Sequence, residues 1–289
     1  MSVKKKVGKL LKKFVINSQW YQREFMDCEK FWNLNTFSLE NLFIGSDPGH
    51  YGCKFELADG KSYDLTLRDS TILQNYEVLR NYSSYIKEEG ATVVMIISPF
   101  DILTGNCDYF EDRFYSILNM ASIPHFSYER RRNVLSKKNA PLAYYPLLSL
   151  RIDIPALFKK NGDVSKTTAS QYISHIKHRY SINNFKDRMS LLNQDSFDDA
   201  FVIIKQMNDY CKEHSARFIL SFPPASKALC EEVNEFMNNE SFVTLLQKLK
   251  KEIVIIKDFT NDARFEGKFS SELFLNKPGA LLFTKLLLS

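Results

Sequence analysis

The sequence predicts an α/β domain built on a parallel sheet, with helices on both faces and a largely helical insertion. Three observations predict it. Short apolar runs that end in turn residues, such as Asn41–Gly45 and Val93–Ile97, have the continuous hydrophobicity of strands buried on both faces. Between such runs lie stretches with 3.6-residue periodicity, long enough to be crossover helices. From Asp101 to Gln194 this alternation is lost.

In chain order, Val3, Val7, Leu10, Leu11, Phe14 and Val15 recur at helical spacing, while Lys4, Lys5, Lys6, Lys9, Lys12 and Lys13 fill the other face. Residues 1–17 are therefore expected to form a basic amphipathic helix. It suits either an anionic membrane surface or packing on its own domain, and the pattern leaves both open. Asn41 to Ser46 is the first core strand, closed by a turn at Asp47-Pro48-Gly49. Ile72, Tyr76, Leu79, Tyr82 and Ile86 share a helical face, Gly90 stops that helix, and Val93–Ile97 follows as a strand ending at Ser98-Pro99.

The stretch 101–194 holds Tyr109, Phe110, Phe114 and Tyr115, the basic run Arg130-Arg131-Arg132, and Pro141 and Pro146, but no clear strand. A loop that long needs short helices of its own. Beyond it, Ser196 with Asp199 forms a candidate capping box for a helix bearing Phe197, Phe201, Ile204 and Cys211, and Arg217–Phe222 is a strand closed by Pro223-Pro224. One helix is expected over 226–250, then a strand from Ile253, then a terminal helix opened by Pro278. The expected organisation is a helix over 1–17 and one α/β domain over 18–289, with its insertion at 101–194.

Composition limits the function classes. A chain of 289 residues with 44% apolar content can bury a large core and is not expected to be disordered. The net charge of +5 is concentrated in the first thirteen residues, which argues against nucleic acid as a partner, since that needs basic residues along a face of the fold. Five cysteines, an odd number without a CxxC pair, suit a reducing cytoplasm. No apolar run reaches the roughly 18 residues of a spanning helix, and no secretory h-region is present. A cytoplasmic protein is expected, peripheral on the inner membrane face if the N-terminal helix docks there. His175 and His178 are an i, i+3 pair without a third ligand, so no metal is expected, and nothing calls for a cofactor.

In open parallel sheets ligands bind beyond the carboxyl ends of the strands. The residues there are Gly45, Ser46, Asp47 and His50; Ser98 and Asp101; Ser221 and Ser226; and Asp258, Asn261 and Asp262. They line a pocket, or they make turns and cap helices.

Phe43-Ile44-Gly45-Ser46-Asp47-Pro48-Gly49-His50-Tyr51-Gly52, Asp258-Phe259-Thr260-Asn261-Asp262 and Leu275-Asn276-Lys277-Pro278-Gly279-Ala280 resemble the first and last blocks of SGNH-hydrolase-like (GDSL) proteins. The nearest subset is associated with bacterial surface-polysaccharide biosynthesis (capsule, exopolysaccharide or lipopolysaccharide), where a strand ends in Gly-Ser-Ser-His and the chain closes with Asp-x-x-His-Leu-Asn. Ile97-Ser98-Pro99-Phe100 and Ser221-Phe222-Pro223-Pro224 are similar in placement to its middle strands. The resemblance implies a three-layer α/β/α, flavodoxin-like sheet and a Ser, His and Asp catalytic set. Laid on that pattern, the nucleophile falls at Asp47, the base at Phe274 and its orienting carboxylate at Ser271. Phenylalanine cannot accept a proton. The resemblance thus implies a degenerate triad and a glycan-binding or accessory role, with a pocket of Gly45, Ser46, Asp47, His50, Ser98, Asp101, Ser221, Asp262, Phe274 and Asn276.

Two alternatives stay open. One is an active carbohydrate O-acyl esterase or O-acyltransferase using Ser46, His50 or residues of the insertion in a rearranged site, although strand alternation is expected to turn Ser46 away from Asp47. The other is a scaffold or interaction protein without a small-molecule ligand.

Overall fold

The apolar runs form the middle of a sheet. β1 (Asn41–Gly45) is buried throughout; β2 (Ser62–Asp64) is half-buried; β3 (Thr92–Ile96) is buried throughout; β4 (Arg217–Phe222) is buried at all but its first residue; and β5 (Ile255–Asp258) has no buried position. Strands shielded on both faces belong in the centre of a parallel sheet, and short, exposed ones at its edges. In the computed structural model, which describes residues 3–25, 27–55, 60–105, 107–158, 168–183 and 191–289, all five pair in parallel in the order β2-β1-β3-β4-β5. The chain steps outward from β1 to β2, returns past β1 to β3, and then moves the other way. This reversal between β1 and β3 is a topological switch point, the place where open α/β sheets bind their ligands.

The helices follow in chain order. They are α1 (Val3–Ile16), α2 (Gln19–Glu24), α3 (Glu29–Trp32), α4 (Asp47–Gly52), α5 (Ile72–Tyr82), α6 (Tyr128–Asn139) and α7 (Pro141–Tyr144). After these come α8 (Leu150–Phe158), α9 (Ala169–Arg179), α10 (Leu191–Glu213), α11 (Cys230–Met237), α12 (Glu240–Lys251) and α13 (Lys277–Leu288). The segment Pro99–Thr104 after β3 is a 3-10 helix.

Several expectations are corrected. β2 was not anticipated, because Ser62-Tyr63-Asp64 has no apolar run. Ser196 is not an N-cap: it is buried within α10, which starts at Leu191. The single helix expected over 226–250 is two, α11 and α12, separated where the Asn239 side chain caps α12 by accepting from Ser241 N–H. Ile253 is not in β5; it lies at φ 59° and is exposed.

Phenylalanines fill the spaces around the sheet. Phe43, Phe55, Phe259, Phe265, Phe283 and Leu287 form one buried cluster with Val94, Ile96 and Ile219, with Phe43–Phe55 and Phe259–Phe283 centroids 4.3 and 5.4 Å apart. Phe100, Phe236, Phe242 and Phe222 form another chain of rings at centroid distances of 5.1, 5.3 and 5.7 Å. Three thiols, Cys28, Cys53 and Cys211, are buried and all five are free; burial pushes Cys28 and Cys211 up to about 12, so these are packing groups.

The chain divides into two compact units, residues 35–108 with 167–289, which hold the sheet, and residues 1–34 with 109–166. Among its described residues, the stretch 101–194 contains no strand. The second unit is helical and built on aromatic contacts. Phe25 stacks edge-on against Trp32, Trp20 and Phe14 both meet Tyr145, and Lys138 sits 4.0 Å from the Trp32 ring centroid. Of the Arg130–Arg132 run, Arg130 pairs with Asp112 at 2.5 Å and lies over Tyr115, Arg131 lies over Phe126, and Arg132 is exposed.

Phe283 is fully buried on α13, beneath the sheet's carboxyl half. Phe283→Ala should destabilise the protein by about 3–5 kcal/mol in urea unfolding, the cost of an unfilled core ring. A loss under about 1 kcal/mol would mean that α13 is not seated on the core.

Candidate functional site at the carboxyl edge of the sheet

The switch point begins with a backbone constraint. Gly45 ends β1 at φ 138°, and a Cβ there would lie 2.0 Å from the Ile96 carbonyl oxygen of β3. Only glycine fits. Its N–H donates to Asn75 Oδ1 at 2.8 Å, and its carbonyl accepts from Ser70 Oγ at 3.0 Å. Asn75 Nδ2 donates in turn to Ser70 Oγ and to the Thr71 carbonyl. The bend is thus tied to the start of α5, whose Thr71 and Gln74 form a capping box.

Past the bend, Ser46 N–H donates to the Ile96 carbonyl, and the chain enters α4. Ser46 is 1% exposed, and its hydroxyl donates to Asp101 Oδ2 at 2.5 Å. The same oxygen accepts the Ser98 N–H at 2.8 Å, because Asp101 closes the capping box of the 3-10 helix after β3. One carboxylate therefore ties the ends of β1 and β3 together. Tyr172 of α9 hydrogen-bonds Ser98.

Asp47 turns elsewhere: its Oδ2 accepts the N–H of Asp69, a residue that follows β2. One turn along α4, the His50 and Tyr51 rings lie 4.7 Å apart, Tyr51 accepts from Arg68 at 3.2 Å, and the Phe274 ring packs 4.6 Å from Tyr51. Asp47, His50, Tyr51 and Phe274 are all half-buried. Phe274 thus reaches the first block through Tyr51.

Other expected residues serve structure. Ser271 Oγ accepts the N–H groups of Leu273 and Phe274, closing the turn before α13. Asn276 is the N-cap of α13, accepting from Gly279. Asp262 caps an exposed turn and pairs with Arg264. Asp258 accepts from Thr260 N–H and hydroxyl, and Ser226 donates to the Glu272 carbonyl. Ser221 is opposite Ile96 on β4, fully buried, and its hydroxyl has no hydrogen-bond partner among the described residues. His175 and His178 are exposed on α9.

Sequence reasoning missed Asn75, Asp69, Tyr51 and Tyr172. Asp69 was hidden with β2. Asn75 had a signal in the Ser70-Thr71 pair ahead of a helix, a donor and acceptor set suited to holding a glycine bend.

Electrostatically the strand ends hold two carboxyls, Asp101 and Asp47, that resist ionising. Burial pushes Asp101 up to about 7; the Ser46 hydroxyl opposes this, and the nearby Asp47 charge adds to it. Burial likewise raises Asp47 to about 6, with Asp69 reinforcing and Arg68 opposing. The Tyr180 hydroxyl is pushed up to about 12, chiefly by burial. Near neutral pH such a site can offer both a hydroxyl donor and a carboxylate acceptor. No group of three or more His, Cys, Asp or Glu among the described residues is arranged to hold a metal ion, and no helix described is long and apolar enough to cross a membrane. No family model and no curated protein matches the chain.

Two measurements check this geometry. Gly45→Ala should cost about 2–4 kcal/mol of stability, since the added methyl meets backbone and not a yielding side chain. For the carboxyls, the sign follows from pKa values raised above the ordinary carboxylate value. The folded state keeps protons that the unfolded chain releases, so their contribution to stability is present at acid pH and is lost as pH climbs through about 6 to 7. Between about pH 5 and about pH 8 the melting temperature of Asp101→Asn should fall less than that of the unsubstituted protein. An identical slope would mean that the Asp101 carboxyl is solvated.

Proposed function

We propose that this chain is an SGNH-hydrolase-like protein of the surface-polysaccharide subset that binds a glycan at its sheet edge and does not hydrolyse esters. The observation that supports this most is how the three catalytic slots are filled. Asp47 stands at the nucleophile slot and accepts a backbone N–H, Ser271 spends its oxygen on two turn N–H groups, and Phe274 packs on Tyr51. A proton has no route from a nucleophile to a base in this set. What the same residues offer is an aromatic face beside a carboxyl that accepts or donates hydrogen bonds, the pairing that suits a sugar ring with its C–H face and hydroxyls. Free thiols in a largely buried setting are in keeping with work in the cytoplasm.

One observation favours a second reading, a carbohydrate O-acyl esterase or O-acyltransferase. Ser46 donates directly to Asp101, whose value near 7 is that of a usable general base. The near-complete burial of Ser46 weighs against its reaching an acyl carbon.

The two readings separate on assay. The protein should hydrolyse activated acetyl esters no faster than buffer, with Ser46→Ala unchanged, and glycan-array binding should weaken about tenfold or more in Tyr51→Ala, the loss of one stacking face. Turnover that disappears in Ser46→Ala would replace the first reading with the second.

A further inference from the structure

The segment 142–154 presents more apolar surface than isolated exposed side chains account for. Leu147 and Leu148 are 78% and 77% exposed, Ile152 56%, and Leu142, Tyr144 and Ile154 are each exposed by 45% or more. They lie on α7, α8 and the 3-10 turn Leu147–Ser149 between them. α1 packs against α7, with Phe14 5.8 Å from Tyr145. Within two helical turns of that contact, Val7, Leu10 and Leu11 are also exposed, so among the described side chains of α1 those of its last turn are the packed ones.

Within α1 and residues 141–154 charge is sorted by sign. Lys9, Lys12, Lys13 and Arg151 are exposed. The sequences of α1 and of 141–154 contain one acid, Asp153, and it is turned inward: it is 3% exposed and accepts hydrogen bonds from Gln19 N–H at 2.6 Å and from Tyr145 Oη at 2.8 Å. The outer face is left with leucine, isoleucine, tyrosine and cations.

We propose that this face seats in the headgroup layer of an anionic lipid bilayer, with residues 142–154 as a second insertion element beside α1. The aliphatic side chains enter the acyl boundary, Tyr144 sits at the polar interface, and the lysines and Arg151 meet lipid phosphates. The exposed charges described on these two segments are all cations, the sign that a lipid phosphate layer complements; the exposed Glu129, which shares a surface depression with Tyr144, belongs to neither segment. A short helix alone binds a bilayer weakly, and a second element makes the attachment stable. The inference does not rest on the glycan reading.

The test is co-sedimentation of the full chain with vesicles of equal parts phosphatidylcholine and phosphatidylglycerol, and with phosphatidylcholine alone. The protein should sediment with the mixed vesicles at low salt and be released as salt is raised. Leu147→Glu/Leu148→Glu should weaken binding by at least about tenfold while leaving the circular dichroism and melting temperature unchanged, because both side chains are already in water. Leu10→Glu/Leu11→Glu should weaken it similarly. Binding that survives the Leu147/Leu148 change would overturn the second element, and absence of binding to mixed vesicles at low salt would overturn the membrane assignment. A dimer that the Leu147/Leu148 variant converts to monomer, without vesicle binding, would assign the face to a second copy of the chain.

Discussion

The carboxyl ends of β1 and β3 approach so closely that the bend out of β1 has no room for a side chain. Gly45 passes directly over the Ile96 carbonyl, and the next residue, Ser46, donates its N–H to that same carbonyl. Everything at this site is set by this crossing. It delivers Ser46 inward to Asp101, it starts α4 at Asp47, and α4 then sets Tyr51 against Phe274, with His50 edge-on to Tyr51. The Asn75 side chain satisfies the buried Gly45 N–H, and the Gly45 carbonyl accepts from both Leu67 N–H and Ser70 Oγ. A substitution at Asn75 would therefore reach the site through the backbone, without touching any ligand.

Legibility in the sequence followed burial. β1, β3 and β4 are shielded on both faces, so their apolar runs are continuous and visible. β5 is an exposed edge that still carries the apolar pair Ile255-Ile256, whereas β2, the other edge, carries none, and what the two share is a local turn. Asp64 accepts from Thr66 N–H and hydroxyl just as Asp258 does from Thr260, so an Asp-x-Thr turn terminates both edge strands. That repeated motif, and not hydrophobicity, was the available mark of β2. The break between α11 and α12 was similarly local, at Asn238-Asn239, a pair that favours caps over helix interiors. Strand and helix periodicity were strong enough on either side to mask it.

The site was legible as a location and not as a network. Parallel topology directs attention to the strand ends, and Ser46, Asp47, Ser98 and Asp101 lie there. Which of them bond to each other depends on rotations that no spacing rule gives. Asp101 is a capping residue of its own segment and, through the same oxygen, the acceptor of a serine fifty-five positions earlier. Tyr172 and Asp69 join from elements whose register with the sheet only tertiary structure fixes. Conversely, Asn276 and Ser271 carried the outline of a catalytic block, yet their oxygens are spent on backbone N–H groups. Local turn chemistry and catalytic chemistry draw on the same residue types.

Asp101 and Asp153 illustrate one rule with two outcomes. An aspartate turned inward has to meet donors, since an unpaired buried carboxylate costs several kcal/mol. Asp101 finds Ser46 and Ser98, Asp153 finds Gln19 and Tyr145, and each thereby joins segments distant in sequence. What differs is the surface left behind. Around Asp101 the neighbours are Asp47, Asp69 and tyrosines, so turning one carboxylate inward still leaves polar groups beside it. Asp153 belongs to a stretch, 141–154, whose exposed residues include leucines, isoleucines and Arg151, so withdrawing that stretch's one acid leaves it apolar and cationic. Residues 141–154 read as ordinary amphipathic sequence when that acid is counted as exposed. Their character as a surface is decided by the direction in which one side chain points.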